Sequence, residues 1–170
     1  MPRRYTMQDG TQVAQVAAEE IERWLCGLRQ TVDVTNVELD PQYQALDVDL
    51  LWTTHKRTYQ VEIKGDRVET SGNFFFETQS NAEQGTPGCF LYMQADLLFY
   101  YFVNPKDLYI LPMPQTRNWF LPIQHQFAQR ATTTPVGNHH YTTVGRLVPI
   151  ERVMAEVQDA RRYSLITDTK

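Results

Sequence analysis

Two carboxylates stand in an otherwise apolar run, Leu46-Asp47-Val48-Asp49-Leu50-Leu51-Trp52, and the following segment Tyr59-Gln60-Val61-Glu62-Ile63-Lys64 adds a third acid and a lysine. Acids on adjacent strands make a hard, oxygen-rich site suited to Mg²⁺ or Mn²⁺, which keeps several waters and completes its shell with substrate phosphate oxygens. Such an ion lowers the pKa of a bound water and neutralises charge building on phosphorus. Lys64 shares a strand face with Glu62, where its ammonium orients an attacking water or stabilises a pentavalent transition state. The backbone carbonyl of Ile63, between them, is a natural further ligand. The chemistry these types and spacings point to is metal-dependent phosphodiester hydrolysis. The plainer alternative is a solvated strand face whose acids pair with lysine, each cross-strand pair contributing roughly a few tenths of a kcal/mol.

For those groups to meet, the two segments must pair as a hairpin. Residues 44–53 are predicted as one strand, with Leu46, Val48, Leu50 and Trp52 on one face and Asp47, Asp49 and Leu51 on the other. Residues 58–64 form the next, with Glu62 and Lys64 on the polar face. A turn at Thr54-His55-Lys56-Arg57 pairs Thr53 with Thr58; counting back sets Asp49 opposite Glu62 and Asp47 opposite Lys64. A one-residue change in the turn would separate them. The pattern admits either Asp47 or Asp49 as primary ligand, and the register favours Asp49.

Ahead of the hairpin, residues 9–29 carry apolar side chains at helical spacing, with Asp9 as N-cap and Gln12 completing a capping box. Glu20 falls on the inward stripe, four residues after Val16 and four before Trp24; it either reaches water at the stripe's edge or points to a polar site beneath the helix. Residues 32–39 read as a strand that breaks near Thr35-Asn36, ahead of an Asp40-Pro41 turn. After a polar loop come a strand at 74–78, a loop at 81–88, a short helix at 89–95, and strands at 97–103 and 108–111. Residues 112–127 read as irregular helix interrupted by Pro114 and Pro122, 131–140 as a surface loop, 141–148 as a strand and 149–160 as a helix. The tail from Arg161 is expected to fray.

With 170 residues, 42% of them hydrophobic and 12% aromatic, the chain has the material for one globular domain with a substantial core. No apolar run approaches the roughly 20 residues that span a bilayer, and the N-terminal stretch is polar, so a cytoplasmic protein without a membrane partner is expected. Cys26 and Cys89 match neither a disulfide framework nor a zinc pattern and are read as buried free thiols. A net charge of −4 works against a general pull toward phosphates, although an acidic metal site is neutralised locally by its cation. Basic candidates for a nucleic-acid backbone are Lys56 and Arg57 at the hairpin tip, Arg67 beside the motif, and Arg117. Asn118-Trp119-Phe120 is read as core packing rather than a base-stacking surface. The adjacent His139-His140 lacks a third ligand nearby and is read as surface. Neither a Gly-rich phosphate loop nor a G-x-S-x-G elbow occurs.

At Asp49 and Glu62-Ile63-Lys64 the chain resembles the PD-(D/E)XK nuclease superfamily, including its small phage-type and Holliday-junction-resolvase members. The likeness lies in the order helix, strand, Asp49-bearing strand, Glu62-Ile63-Lys64 strand, then Thr70-Ser71-Gly72-Asn73-Phe74-Phe75-Phe76-Glu77 and Gln94-Ala95-Asp96-Leu97-Leu98-Phe99-Tyr100-Tyr101. It covers roughly residues 9–111, with 112–160 as a C-terminal extension of one further strand and helix. The resemblance implies an α/β, restriction-endonuclease-like fold, a central mixed sheet flanked by helices. It also implies Mg²⁺ or Mn²⁺ dependence and DNA cleavage, with Asp49 and Glu62 as ligands and Lys64 as catalytic lysine. Asp47 is the alternative acid, and Val48 stands where the nominal pattern has Pro. Glu20 matches in kind a helix-borne Glu that approaches the metal in some members, and Glu77 and Gln79 are secondary candidates. Cutting two strands symmetrically would be simplest for a homodimer. A nuclease-fold module that binds nucleic acid or a protein partner without turnover is the competing expectation.

Overall fold

The computed structural model describes residues 7–67, 71–137 and 139–166. The first helix, α1 (Met7–Cys26), starts two residues before Asp9, so the capping box is not where the helix begins. Strand β1 (Thr31–Asn36) follows and ends where the sequence pattern breaks. The strand predicted from residue 44 begins only at Leu50. Asp40 accepts a hydrogen bond from the Gln42 amide and Pro41 occupies the first helical turn, so the chain forms a one-turn helix, α2 (Pro41–Gln44). Strand β2 is therefore Leu50–Thr54. Leu46 and Val48 leave the ladder and pack with Val37, Leu51 and Ala95 instead of sharing a face with Leu50 and Trp52.

The hairpin of β2 with β3 (Thr58–Asp66) has the predicted turn, and Thr53 pairs with Thr58, Trp52 with Tyr59 and Leu50 with Val61. Then come β4 (Asn73–Asn81), the two-residue β5 (Thr86–Pro87), the short α3 (Cys89–Tyr92), β6 (Leu97–Phe102) and β7 (Asp107–Pro112). The irregular stretch becomes α4 (Gln115–Phe120) and a 3-10 turn, Leu121–Gln126. The span expected to be a surface loop is a long hairpin, β8 (Ala128–Val136) with β9 (His139–Pro149), because its β-branched threonines suit an extended chain. Pro135 is tolerated because β8 is an edge strand. Helix α5 (Ile150–Glu156) follows. The segment expected to fray instead forms β10 (Arg161–Ser164), paired antiparallel with β7 and tied down by Arg162 to Asp107 at 2.7 Å. Residues 167–170 lie outside the described residues, as does Thr70 of the motif-following segment.

The fold is α/β, with a mixed six-stranded sheet of order β1-β2-β3-β6-β7-β10 in which β3 and β6 run parallel and the remaining neighbours are antiparallel. Alternation along β6 sends Phe99 and Tyr101 toward α1, where Ala17, Ile21 and Leu25 cover them. Leu98, Tyr100 and Phe102 point to the opposite face, against Phe74 and Phe76 of a second, four-stranded sheet of order β5-β4-β9-β8. That larger cluster also takes Phe120, Phe127, Val148, Ile150 and Val153, so residues 112–160 share the core of the preceding span. Among the described residues no helix is long and apolar enough to cross a membrane.

Candidate functional site

Glu62 and Lys64 lie on the face of β3 that looks away from α1, since parallel pairing sets them beside Leu98 and Tyr100. Together with β4 and α3 this face encloses a cleft lined by Glu62, Lys64, Phe75, Glu77, Cys89 and Met93, among others. The second wall is fixed in place by chain contacts. The Phe75 amide donates to the Tyr100 hydroxyl at 3.2 Å. At Gly88 a Cβ would run into the Glu77 carbonyl, so only glycine lets the start of α3 lie this close to β4.

Asp49 sits one residue before β2, where the ladder ends. Its amide donates to the Val61 carbonyl at 2.8 Å, but its side chain takes over the next position, its Oδ2 accepting the Ile63 amide at 2.8 Å. An amide and carbonyl of one residue leave a strand on the same side, so the Ile63 carbonyl is turned toward Asp49 as well. The Asp49 carboxylate also hydrogen-bonds to Glu62. Burial first, and the charges of Asp49 and Asp47 next, push the Glu62 carboxyl up to about 10, with Lys64 opposing them. Burial raises Asp49 too, helped by Glu38 and opposed by the Ile63 amide. Two carboxyls this close disfavour simultaneous ionisation, so their mutual repulsion adds to burial in holding both above the ordinary carboxylate range.

Asp47 is not opposite Lys64 on a strand. It follows α2 in a left-handed backbone conformation, φ 50°, that reverses the chain out of the predicted strand. Its carboxylate still reaches the site: its charge bears on both Asp49 and Glu62, burial raises its pKa with the nearby Tyr92 hydroxyl opposing, and its Oδ2 is buried with no hydrogen-bond partner. An orphaned buried carboxylate oxygen is costly, and a cation is one partner that would satisfy it.

Glu20 does not join this group. It accepts a hydrogen bond from Tyr101 and pairs with Lys106 at 2.7 Å, on the α1 face, so the sheet stands between it and Glu62. Glu77 does line the cleft, whereas Gln79 lies past a bulge, paired with Pro87 and Val144. Of the basic candidates, Arg57 is paired with Asp96 at 2.9 Å and lies over Tyr59, and Lys56 caps the turn through its amide, at the far end of β3 from Lys64. Arg67 follows β3 directly, its amide donating to Asp66, and Arg117 donates to the Met93 carbonyl at 2.9 Å beside α3. Trp119 and Phe120 pack with the core. Cys26 is exposed rather than buried, while Cys89 is half-buried in the cleft wall and its thiol is pushed up to about 12 by burial and by Glu77.

Sequence spacing alone did not single out Glu38, Tyr92 or Cys89 as neighbours of the acids; each reaches them from an element distant in sequence. Among the described residues no three His, Cys, Asp or Glu side chains converge closely enough to hold a metal ion as they stand. The donor set nonetheless fits a hard divalent cation in kind: two carboxylates in contact, a third with an orphaned oxygen, and an adjacent carbonyl. Neither a protein-family model, nor a curated protein, nor a solved structure matches the chain.

Proposed function

We propose that the chain is a divalent-metal-dependent endonuclease of the restriction-endonuclease-like fold, hydrolysing DNA phosphodiester bonds at the cleft between β3 and β4. The observation that carries this reading is the contact of Asp49 with Glu62 in a half-buried cleft, beside the orphaned Asp47 Oδ2 and on the same face as Lys64. The order of α1, β1, the Asp49 junction and the Glu62-Ile63-Lys64 strand supports the fold side of the proposal.

Asp49, Glu62, the Ile63 carbonyl and Asp47 would hold Mg²⁺ or Mn²⁺. A cation bound there lowers the pKa of its water and offsets charge on the scissile phosphate. The Ile63 amide holds the Asp49 carboxylate against β3, and a bound cation would favour the ionised form of Glu62. Tyr92 steers Asp47. The Lys64 ammonium orients the attacking water or a phosphate oxygen, and the apolar side chains of Phe75, Phe90 and Met93 exclude bulk water and so strengthen each of these interactions.

A plasmid-nicking assay with Mg²⁺ or Mn²⁺ tests the reading. Asp49→Ala should abolish nicking, and Lys64→Ala should slow it by roughly 10²–10³-fold; unchanged nicking in both variants would remove the assignment. The second reading, a binding module without turnover, draws on the lack of a three-ligand set among the described residues. Calorimetry separates the two, because a working site binds Mn²⁺ and loses it in Glu62→Ala.

A further inference from the structure

From Leu108 to Ile150, a quarter of the chain, there is no Asp, Glu or Lys; all 20 acids lie outside this span, which carries Arg117, Arg130, Arg146 and three of the four histidines. The chain as a whole is acidic, so its charge is segregated. The most exposed part of the span is the β8–β9 hairpin. Ala128 to Thr133 are exposed at every position, so neither face of that strand is covered, and Arg130, His139 and His140 are exposed as well. The root of the hairpin is the cleft wall, where β9 pairs with β4 and Gly145 stands opposite Glu77. From there the ladder continues to Val136 opposite His139, closed by Gly137 at φ 57°, a reach of about 20 Å at the usual strand rise. Among the described residues Glu83 flanks it, its carboxylate committed to the Thr142 amide and hydroxyl.

Resting on the nuclease reading above, we infer that this hairpin is an arm that lies in the major groove of duplex DNA beside the cleft. A two-stranded ribbon fits a groove about 12 Å wide. Arg130, His139 and His140 face phosphates, and the hydroxyls of Thr132 and Thr133 meet backbone or base edges. A duplex is the occupant because the hairpin lacks the row of aromatics on which single-stranded bases stack: Tyr141 is its only ring besides the two histidines.

The test is fluorescence-anisotropy binding of a labelled duplex, without divalent metal, over a salt series. Two arm variants are compared with the full chain: Arg130→Ala/His139→Ala/His140→Ala, and a shortened arm with Asn-Gly in place of residues 134–141. The latter keeps the Thr133–Thr142 pair and the Glu83 bonds. Both should bind duplex at least tenfold more weakly, and the triple variant should lower the salt slope by about one or more, with thermal unfolding unchanged. Duplex binding equal in the full chain and both arm variants would overturn the inference. So would a preference for single strands, or a dimer that the shortened arm abolishes. Arm-dependent binding with no nicking under any metal would sink the nuclease reading and leave the arm standing.

Discussion

At the scale of single residues, the site is defined by charges the fold leaves uncompensated. Folding brings Glu62 against Asp49 and raises both carboxyls, chiefly through burial. A group with a raised folded pKa holds its proton in the native state at pH values where the unfolded chain has released it. The metal-free protein therefore loses stability as pH rises from about 4.5 toward about 10. Glu62→Gln, which keeps the hydrogen bond and removes the titration, should give a flatter dependence of Tm on pH and a higher Tm at pH values above neutrality; a pH series by calorimetry reads it directly. Asp47 is subject to two costs, a left-handed backbone and an unpartnered buried oxygen. Asp47→Gly should raise the stability of the metal-free protein by about 1 kcal/mol, since glycine is unstrained there, while weakening Mn²⁺ binding in a calorimetric titration. A variant less stable than the parent, with Mn²⁺ affinity intact, would mean that Asp47 serves the fold alone.

At the scale of elements, the cleft is made by two sheets held a fixed distance apart, and α3 sets the spacing. Gly88 lets that helix start against the Glu77 backbone, and Phe90 stacks on Phe76 at 4.1 Å between ring centroids. Gly88→Ala should destabilise the protein by about 1–3 kcal/mol through overpacking and lower nicking as the wall moves; urea unfolding and the plasmid assay report the two effects. The hairpin register was legible in the sequence because four residues separate Thr53 from Thr58 and each strand has one apolar face. Less legible were the strand's start and the fate of Asp47. Leu46 and Val48 continue the alternation, but Asp40-Pro41 nucleates a turn of helix that removes them from the ladder.

At the scale of the whole molecule, the C-terminal residues complete the sheet. Strand β7 is buried along its length, and β10 covers its outer edge. Truncation after Ala160 should leave that edge bare, lowering Tm and producing concentration-dependent aggregation in light scattering; an unchanged Tm would show that β10 adds nothing. Residues 161–164 were unreadable as a strand because all four are exposed and their sequence lacks an apolar alternation. Their place is decided by an unpaired neighbour and by Asp107 waiting for Arg162.

The sequence by itself determined the chemistry on offer and its local geometry. Residue types two apart on a strand, and two strands joined by a short turn, depend only on backbone periodicity. The tertiary structure decided which acids share the site. It placed Glu20 behind the sheet, beside Tyr101 and Lys106, and brought the charge of Asp47 to bear on Glu62 from outside the ladder. It also brought Tyr92, Glu77 and Cys89 to the acids from β4 and α3. Those choices follow from which face of a sheet each element covers, a property of packing between segments that no periodicity within one segment can encode.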